Sequence, residues 1–187
     1  MQGNTLETAE QITGASTMAS VLELFPGAQR ALFRKYHIGG CSSCGFQLSE
    51  TLTQVCQRNG GLNLDEVLAH IAQSHAEDQR VLISPMELAE LRDAGGPFRL
   101  LDIRTREEWE AARIEGSVLF SQEVLQEMLM RWPRDQALVI YDHLGKKSID
   151  AAAYFMGHGF QNVRSLRGGI DAWSKEVEPA IRRYRLA

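Results

Sequence analysis

The chain has 187 residues, 44% of them hydrophobic and 24% charged, with a formal net charge of −4. That length admits one domain or two small ones, and the composition suits a globular protein that buries its own core without help from disulfides or metal. The acidic balance argues against a general nucleic-acid binder, whose phosphate contacts need clustered Lys and Arg. Three cysteines (Cys41, Cys44 and Cys56), all in the first third, are not a secreted disulfide framework. No apolar run approaches the roughly 20 residues of a membrane span. The polar stretch Met1–Ser20 lacks the basic start of a signal peptide. No nucleic acid and no membrane are expected as partners, and the expected location is the cytoplasm.

Residues 1–17 show no apolar period and are expected to be a flexible arm. Val21, Leu22, Leu24 and Phe25 form a short apolar segment interrupted by Pro26-Gly27. Ala28, Leu32, Phe33 and Tyr36 keep helical spacing up to His37-Ile38-Gly39-Gly40, where glycine suits a left-handed C-cap. Leu48, Leu52 and Val55 predict a third helix ended by Asn59-Gly60-Gly61. Asn63 with Glu66 resembles a capping box and opens a fourth helix through Leu64, Val67, Leu68 and Ile71. Residues 18–76 therefore read as an all-α domain. Residues 1–79 hold four basic and eight acidic residues, whereas the remainder is neutral, and the polar stretch Ser74–Arg80 suits a link between two units.

From residue 80 the pattern changes. Val81-Leu82-Ile83 predicts a strand, and Ser84-Pro85-Met86-Glu87 supplies an N-cap, a proline at the first helical position and a glutamate at the third. Phe98–Asp102 predicts a strand, and Thr105–Glu108 a second capping box. Ser117–Phe120 reads as a strand, Gln122–Trp132 as a helix stopped by Pro133. Ala137–Tyr141 is an almost unbroken apolar run, as expected of a central strand covered on both faces. A polar loop, Asp142 to Lys147, leads into a helix opened by Ser148. Val163–Leu166 predicts the last strand, and Gly168-Gly169 precedes a final helix with Ile170 and Trp173. Strands alternating with helices predict an α/β fold with a mainly parallel sheet flanked by helices over residues 80–187.

Two places carry candidate chemistry. Ligands of such folds sit beyond the C-terminal strand ends, which selects the loop after the central strand, with Asp142, His143, Gly145, Lys147 and Ser148 as its positions. The second is Cys41-Ser42-Ser43-Cys44, between two helices. Two thiols at that spacing can close a disulfide or bind a metal, with Cys56 as a third ligand or a small buried hydrophobe. A closed zinc site needs four ligands, for which His37 or His70 would have to join the thiols. An iron–sulfur cluster normally takes four thiolates, which would require a second chain, hence a homodimer, or another ligand.

The stretch from about Met18 to Gln73 resembles a small helical domain of unknown function and the N-terminal domain of iron–sulfur-cluster repair proteins. The carrying residues are Val21–Ala28, Tyr36–Cys44, Leu48–Asn59 and Leu64–Leu68. The resemblance implies a metal, redox or sulfur context without naming a reaction.

Residues from about Ile83 to Glu176 resemble the rhodanese family. Leu101–Trp109 is similar to its early strand-and-helix signature, Val139-Ile140-Tyr141 with the following loop and Ser148 to its active-loop region, and Arg167–Trp173 to its C-terminal signature. The family's sulfurtransferases carry at the first loop position a cysteine that accepts sulfur as a persulfide. Here that position is Asp142, and no thiol follows Cys56. Lys147 stands where an arginine is usual, and Arg113 replaces a signature histidine. No catalytic residue is assigned in the loop. Asp142 is expected to cap or brace the loop, and Asp102 and Arg104 to brace the fold.

The leading expectation is a catalytically inactive rhodanese-like protein with a binding or regulatory role in sulfur, redox or iron–sulfur metabolism, working with a protein partner. Two alternatives stand beside it. One is a sulfurtransferase or thiol redox protein using Cys41 and Cys44. The other is a dimer binding zinc or an iron–sulfur cluster through them.

Overall fold

The computed structural model describes residues 12–39 and 45–184. The chain forms two compact units, Met1–Arg80 and Val81–Ala187.

The described part of the first unit is helical: α1 (Met18–Leu24), α2 (Ala28–Tyr36), α3 (Leu52–Arg58) and α4 (Leu64–Arg80). Their apolar faces meet in one core of Met18, Val21, Phe25, Leu32, Leu52, Val55, Val67 and Ile71. Local chemistry sets the ends. The Thr17 hydroxyl caps α1. Thr51 and Gln54 form a capping box on α3. The Asn63 side chain accepts from the amides of Asp65 and Glu66 at the start of α4. Arg30 and Asp78 pair between α2 and α4.

Three expectations change here. The arm expected over 1–17 does not extend over residues 12–17. Ile12 is buried in the core, Thr17 bridges to Thr51, and Thr53 N–H donates to the Gly14 carbonyl. A lone buried isoleucine gives no period, so spacing could not reveal it. The C-cap of α2 is His37 itself, at φ 57°, rather than a glycine. Leu48 precedes α3 and is exposed, because Thr51 starts the helix three residues later.

The second unit alternates strand and helix: β1 (Leu82–Ile83), α5 (Pro85–Asp93), β2 (Phe98–Asp102), α6 (Arg106–Ala111), β3 (Ser117–Leu119), α7 (Gln122–Arg131), β4 (Ala137–Tyr141), α8 (Lys147–Gly157), β5 (Val163–Leu166) and α9 (Gly169–Glu176). The five strands form one sheet in the order β1-β5-β4-β2-β3, with every pairing parallel. The apolar run of β4 lies at the centre, as its composition predicts, and Leu138–Tyr141 are all buried. Two cores cover the faces. One gathers Leu101, Leu138, Ile140, Phe155 and Phe160, the other Leu100, Val139, Tyr141, Leu166, Ile170 and Trp173. Successive residues of β4 enter opposite cores, as the period of two requires. Ser84 with Glu87 and Thr105 with Glu108 form the two capping boxes that the sequence predicts in this unit.

Candidate functional site

The strand order places the site. The chain leaves β4 for β5 on one side and β2 for β3 on the other, so the loops after these neighbouring strands diverge and leave a crevice between them. A cavity of about 180 Å³ lies there, lined by Ile103, Arg104, Thr105 and Glu108 after β2 and by Asp142, His143 and Lys147 after β4.

Asp142 is buried, 6% exposed, at the mouth of α8. Its carboxylate accepts from the Lys147 amide at 3.2 Å and from the Ser148 hydroxyl at 2.8 Å. The residue at the cap position of α8, Lys146, offers no capping side chain, so Asp142 supplies the acceptor that the helix start lacks and sets a negative charge against the positive end of its dipole. The chain of bonds continues inward: the Ser165 hydroxyl of β5 donates to the Ser148 hydroxyl at 2.8 Å. Lysine 147 contributes its backbone here, not its ammonium.

The loop is pinned from behind by α9. Ile170 N–H donates to the Asp142 carbonyl and Asp171 N–H to the His143 carbonyl. Such close backbone approach leaves no room at Gly169, where a Cβ would lie 2.3 Å from the Asp142 oxygen at a φ of +58°. Gly145, at φ +73°, meets the Gly168 amide in the same way, at 2.6 Å from a Cβ position. Of the paired glycines of the C-terminal signature, Gly169 is thus required by the loop it holds, whereas Gly168, at φ +72°, is required by its own helix, where a Cβ would lie 2.5 Å from that of Ala172.

The opposite wall is an ion pair. Asp102 and Arg104 are almost fully enclosed, with the guanidinium on the carboxylate at 2.6 Å. Arg104 also donates to the Ala112 carbonyl at 2.7 Å and lies over the Tyr141 ring. Burial opposes the arginine's charge, but the hydrogen bond and charge of Asp102 outweigh it and hold the guanidinium protonated. Burial, followed by the nearby Asp102 charge, pushes the Tyr141 phenol well above its usual range.

Tyr184 completes the enclosure. Its hydroxyl donates to Glu108 at 2.7 Å and accepts from Arg104 at 2.7 Å. Its ring lies 4.4 Å from that of His143. Burial and the Glu108 carboxylate push its phenol up to about 12. Burial opposes the Glu108 charge, but hydrogen bonds from the Thr105 amide and the Tyr184 hydroxyl win and hold it below the usual carboxylate range.

The structure thus brings Asp142, His143, Gly145, Lys147 and Ser148 together and adds Ser165, Glu108, Arg104 and Tyr184, none of which the loop motif named. Ser165 had a weak signal, a small polar residue two positions after Val163 and so on the same face of its strand. Tyr184 had none. Arg113 stacks on Trp109 and does not line the cavity. Cys41 and Cys44 lie outside the described residues. Cys56 is buried in the helical core, and burial pushes its thiol up, away from the reactive thiolate. His70 spends its Nε2 on the Ala31 carbonyl at 3.0 Å, and His37 ends α2. Among the described residues no three His, Cys, Asp or Glu side chains gather as a metal site, and no helix is long and apolar enough to cross a membrane.

Comparison with known proteins agrees with this fold. The family model described as "Rhodanese-like domain" matches residues 84–176. The "Probable adenylyltransferase/sulfurtransferase MoeZ" of Mycobacterium tuberculosis is 34% identical over 104 residues, which are 54% of this chain but only 26% of that protein. A sulfurtransferase of Allochromatium vinosum is 34% identical over 82 residues, 44% of this chain and 77% of that one. The thiosulfate sulfurtransferase GlpE of Pseudomonas aeruginosa is 33% identical over 98 residues, 52% of this chain and 86% of that one. With a parallel sheet, a matching family model and two relatives matched over 77% and 86% of their length, the chain belongs to the rhodanese-like family through its second unit.

Proposed function

We propose that this rhodanese-like domain does not turn over sulfur, and that the protein serves as a binding or regulatory component in sulfur, redox or iron–sulfur metabolism. The observation that carries this reading is the Asp142 carboxylate, seated on the Lys147 amide and the Ser148 hydroxyl. A carboxylate cannot take up sulfane sulfur as a persulfide. It also places negative charge where an anionic donor such as thiosulfate would approach, and it uses the donors that would greet that anion. Such a domain keeps the fold and its recognition surface while the chemistry is lost. The partner would be a protein.

The test is thiosulfate:cyanide turnover by the full chain carrying Cys41→Ser, Cys44→Ser and Cys56→Ala, so that no thiol of the first unit could act. Turnover at background is expected, and turnover well above it would overturn the reading. A second reading draws on the relatives, which are named sulfurtransferases: sulfur carried on Cys41 or Cys44. It expects a persulfide by mass spectrometry that Cys44→Ser abolishes. The reading of a zinc or iron–sulfur dimer expects bound metal and a dimeric mass after anaerobic purification.

A further inference from the structure

The His143 side chain is 6% exposed, and its Nδ1 is buried without a hydrogen-bond partner. A buried, unpaired imidazole nitrogen is costly unless the site has another use for it. What covers this histidine is the aromatic ring of Tyr184. That tyrosine is held at its hydroxyl by two charged groups. Arg104, itself fixed by Asp102, donates to the phenol oxygen, and Glu108 accepts its proton. A donor and an acceptor of opposite charge on one hydroxyl, with an imidazole ring 4.4 Å away and tilted 38° to the phenol, suit a tyrosine at both its polar tip and its ring.

The segment that delivers Tyr184 is built, not draped. Trp173 Nε1–H donates to the Glu178 carboxylate at 2.8 Å, and the Ser174 hydroxyl to the Ile181 carbonyl at 2.7 Å. Arg183 grips Asp171 with two bonds, at 2.7 and 3.0 Å. Ile181 packs on the core beside Trp173. These contacts turn the chain back along α9 and hold residue 184 over the active loop.

We propose that Arg104 and Glu108, beside the active loop, form a tyrosine-recognition clamp with His143, and that Tyr184 of the same chain occupies it and covers His143. A tyrosine on a partner could then enter only by displacing Tyr184, so the loop is closed from within. This inference does not depend on whether the domain transfers sulfur.

Acylation by diethyl pyrocarbonate on the full chain, read at His143 by peptide mass spectrometry and normalised to the exposed His158, tests it. Tyr184→Ala should raise the normalised His143 rate at least fivefold, and a smaller rise would overturn the proposal. If that variant does not melt cooperatively, Tyr184→Phe decides, since it keeps the ring and loses the hydroxyl clamp. A rise of twofold or more is then expected, and a smaller one overturns. p-Cresol, the tyrosine side chain alone, tests recognition at tens of millimolar, the range expected for so small a ligand. It should slow His143 acylation in the opened variant, and failure to slow it would leave Tyr184 as packing and overturn the recognition site.

Discussion

Two buried aspartates stand at the ends of neighbouring central strands, where Asp142 and the Arg104 partner of Asp102 line one crevice. Asp102, the last residue of β2, is fully buried and meets the Arg104 guanidinium. Asp142, the first residue after β4, is 6% exposed and meets only neutral donors at a helix start, an amide and a hydroxyl. The residue type and the position relative to the strand are alike, so the partner decides the role. A fixed counter-charge makes Asp102 part of the frame, since removing either member strands a charge in the interior. Amide, hydroxyl and helix dipole hold Asp142 more weakly. Its charge remains a property of the site, and its replacement should be tolerated.

The first way to break that comparison is to neutralise each aspartate by amide substitution. Asp102→Asn leaves the Arg104 charge buried and unpaired and should cost about 3–5 kcal/mol in urea unfolding. Next in size is Gly169→Ala, which forces a Cβ against the Asp142 carbonyl at positive φ. It should cost on the order of 3 kcal/mol, together with loss of the loop's amide protection in hydrogen exchange. Asp142→Asn should cost only about 1–2 kcal/mol, because one acceptor becomes a donor while the neighbouring hydroxyl can turn. Equal losses for Asp102→Asn and Asp142→Asn would erase the distinction.

The smallest effect sharpens the comparison through Tyr184, which binds the partner of Asp102 and covers the loop of Asp142. Burial and the Glu108 carboxylate push its folded phenol up to about 12, above the ordinary value of about 10. A raised folded value contributes stability that is complete below about pH 10 and is lost as pH rises towards 12. The stability advantage of the wild type over Tyr184→Phe should therefore be constant from pH 7 to 9 and shrink by pH 11. An advantage that stays flat to pH 11 would mean that folding does not raise the phenol's titration.

Much of the second unit is legible along the chain. The capping boxes at Ser84–Glu87 and Thr105–Glu108, the apolar run of β4 and the strand–helix alternation all form where their residues predict. The active loop is legible too, since Asp142 to Ser148 follows the central strand. Its electrostatic content is less so. That the Lys147 backbone, not its ammonium, meets Asp142, and that Ser165 extends the chain of hydroxyls, depends on which strand lies beside β4.

By itself, then, the sequence determined what is decided within a few residues: caps, periods, the loop and the aspartate at its head. Those are contests between neighbouring donors and acceptors, and spacing records them. The tertiary structure alone decided that Tyr184 closes on Arg104, 80 positions earlier, and that Ile12 joins the helical core. Contacts at such separation carry no period, because they are paid for by the packing of whole elements.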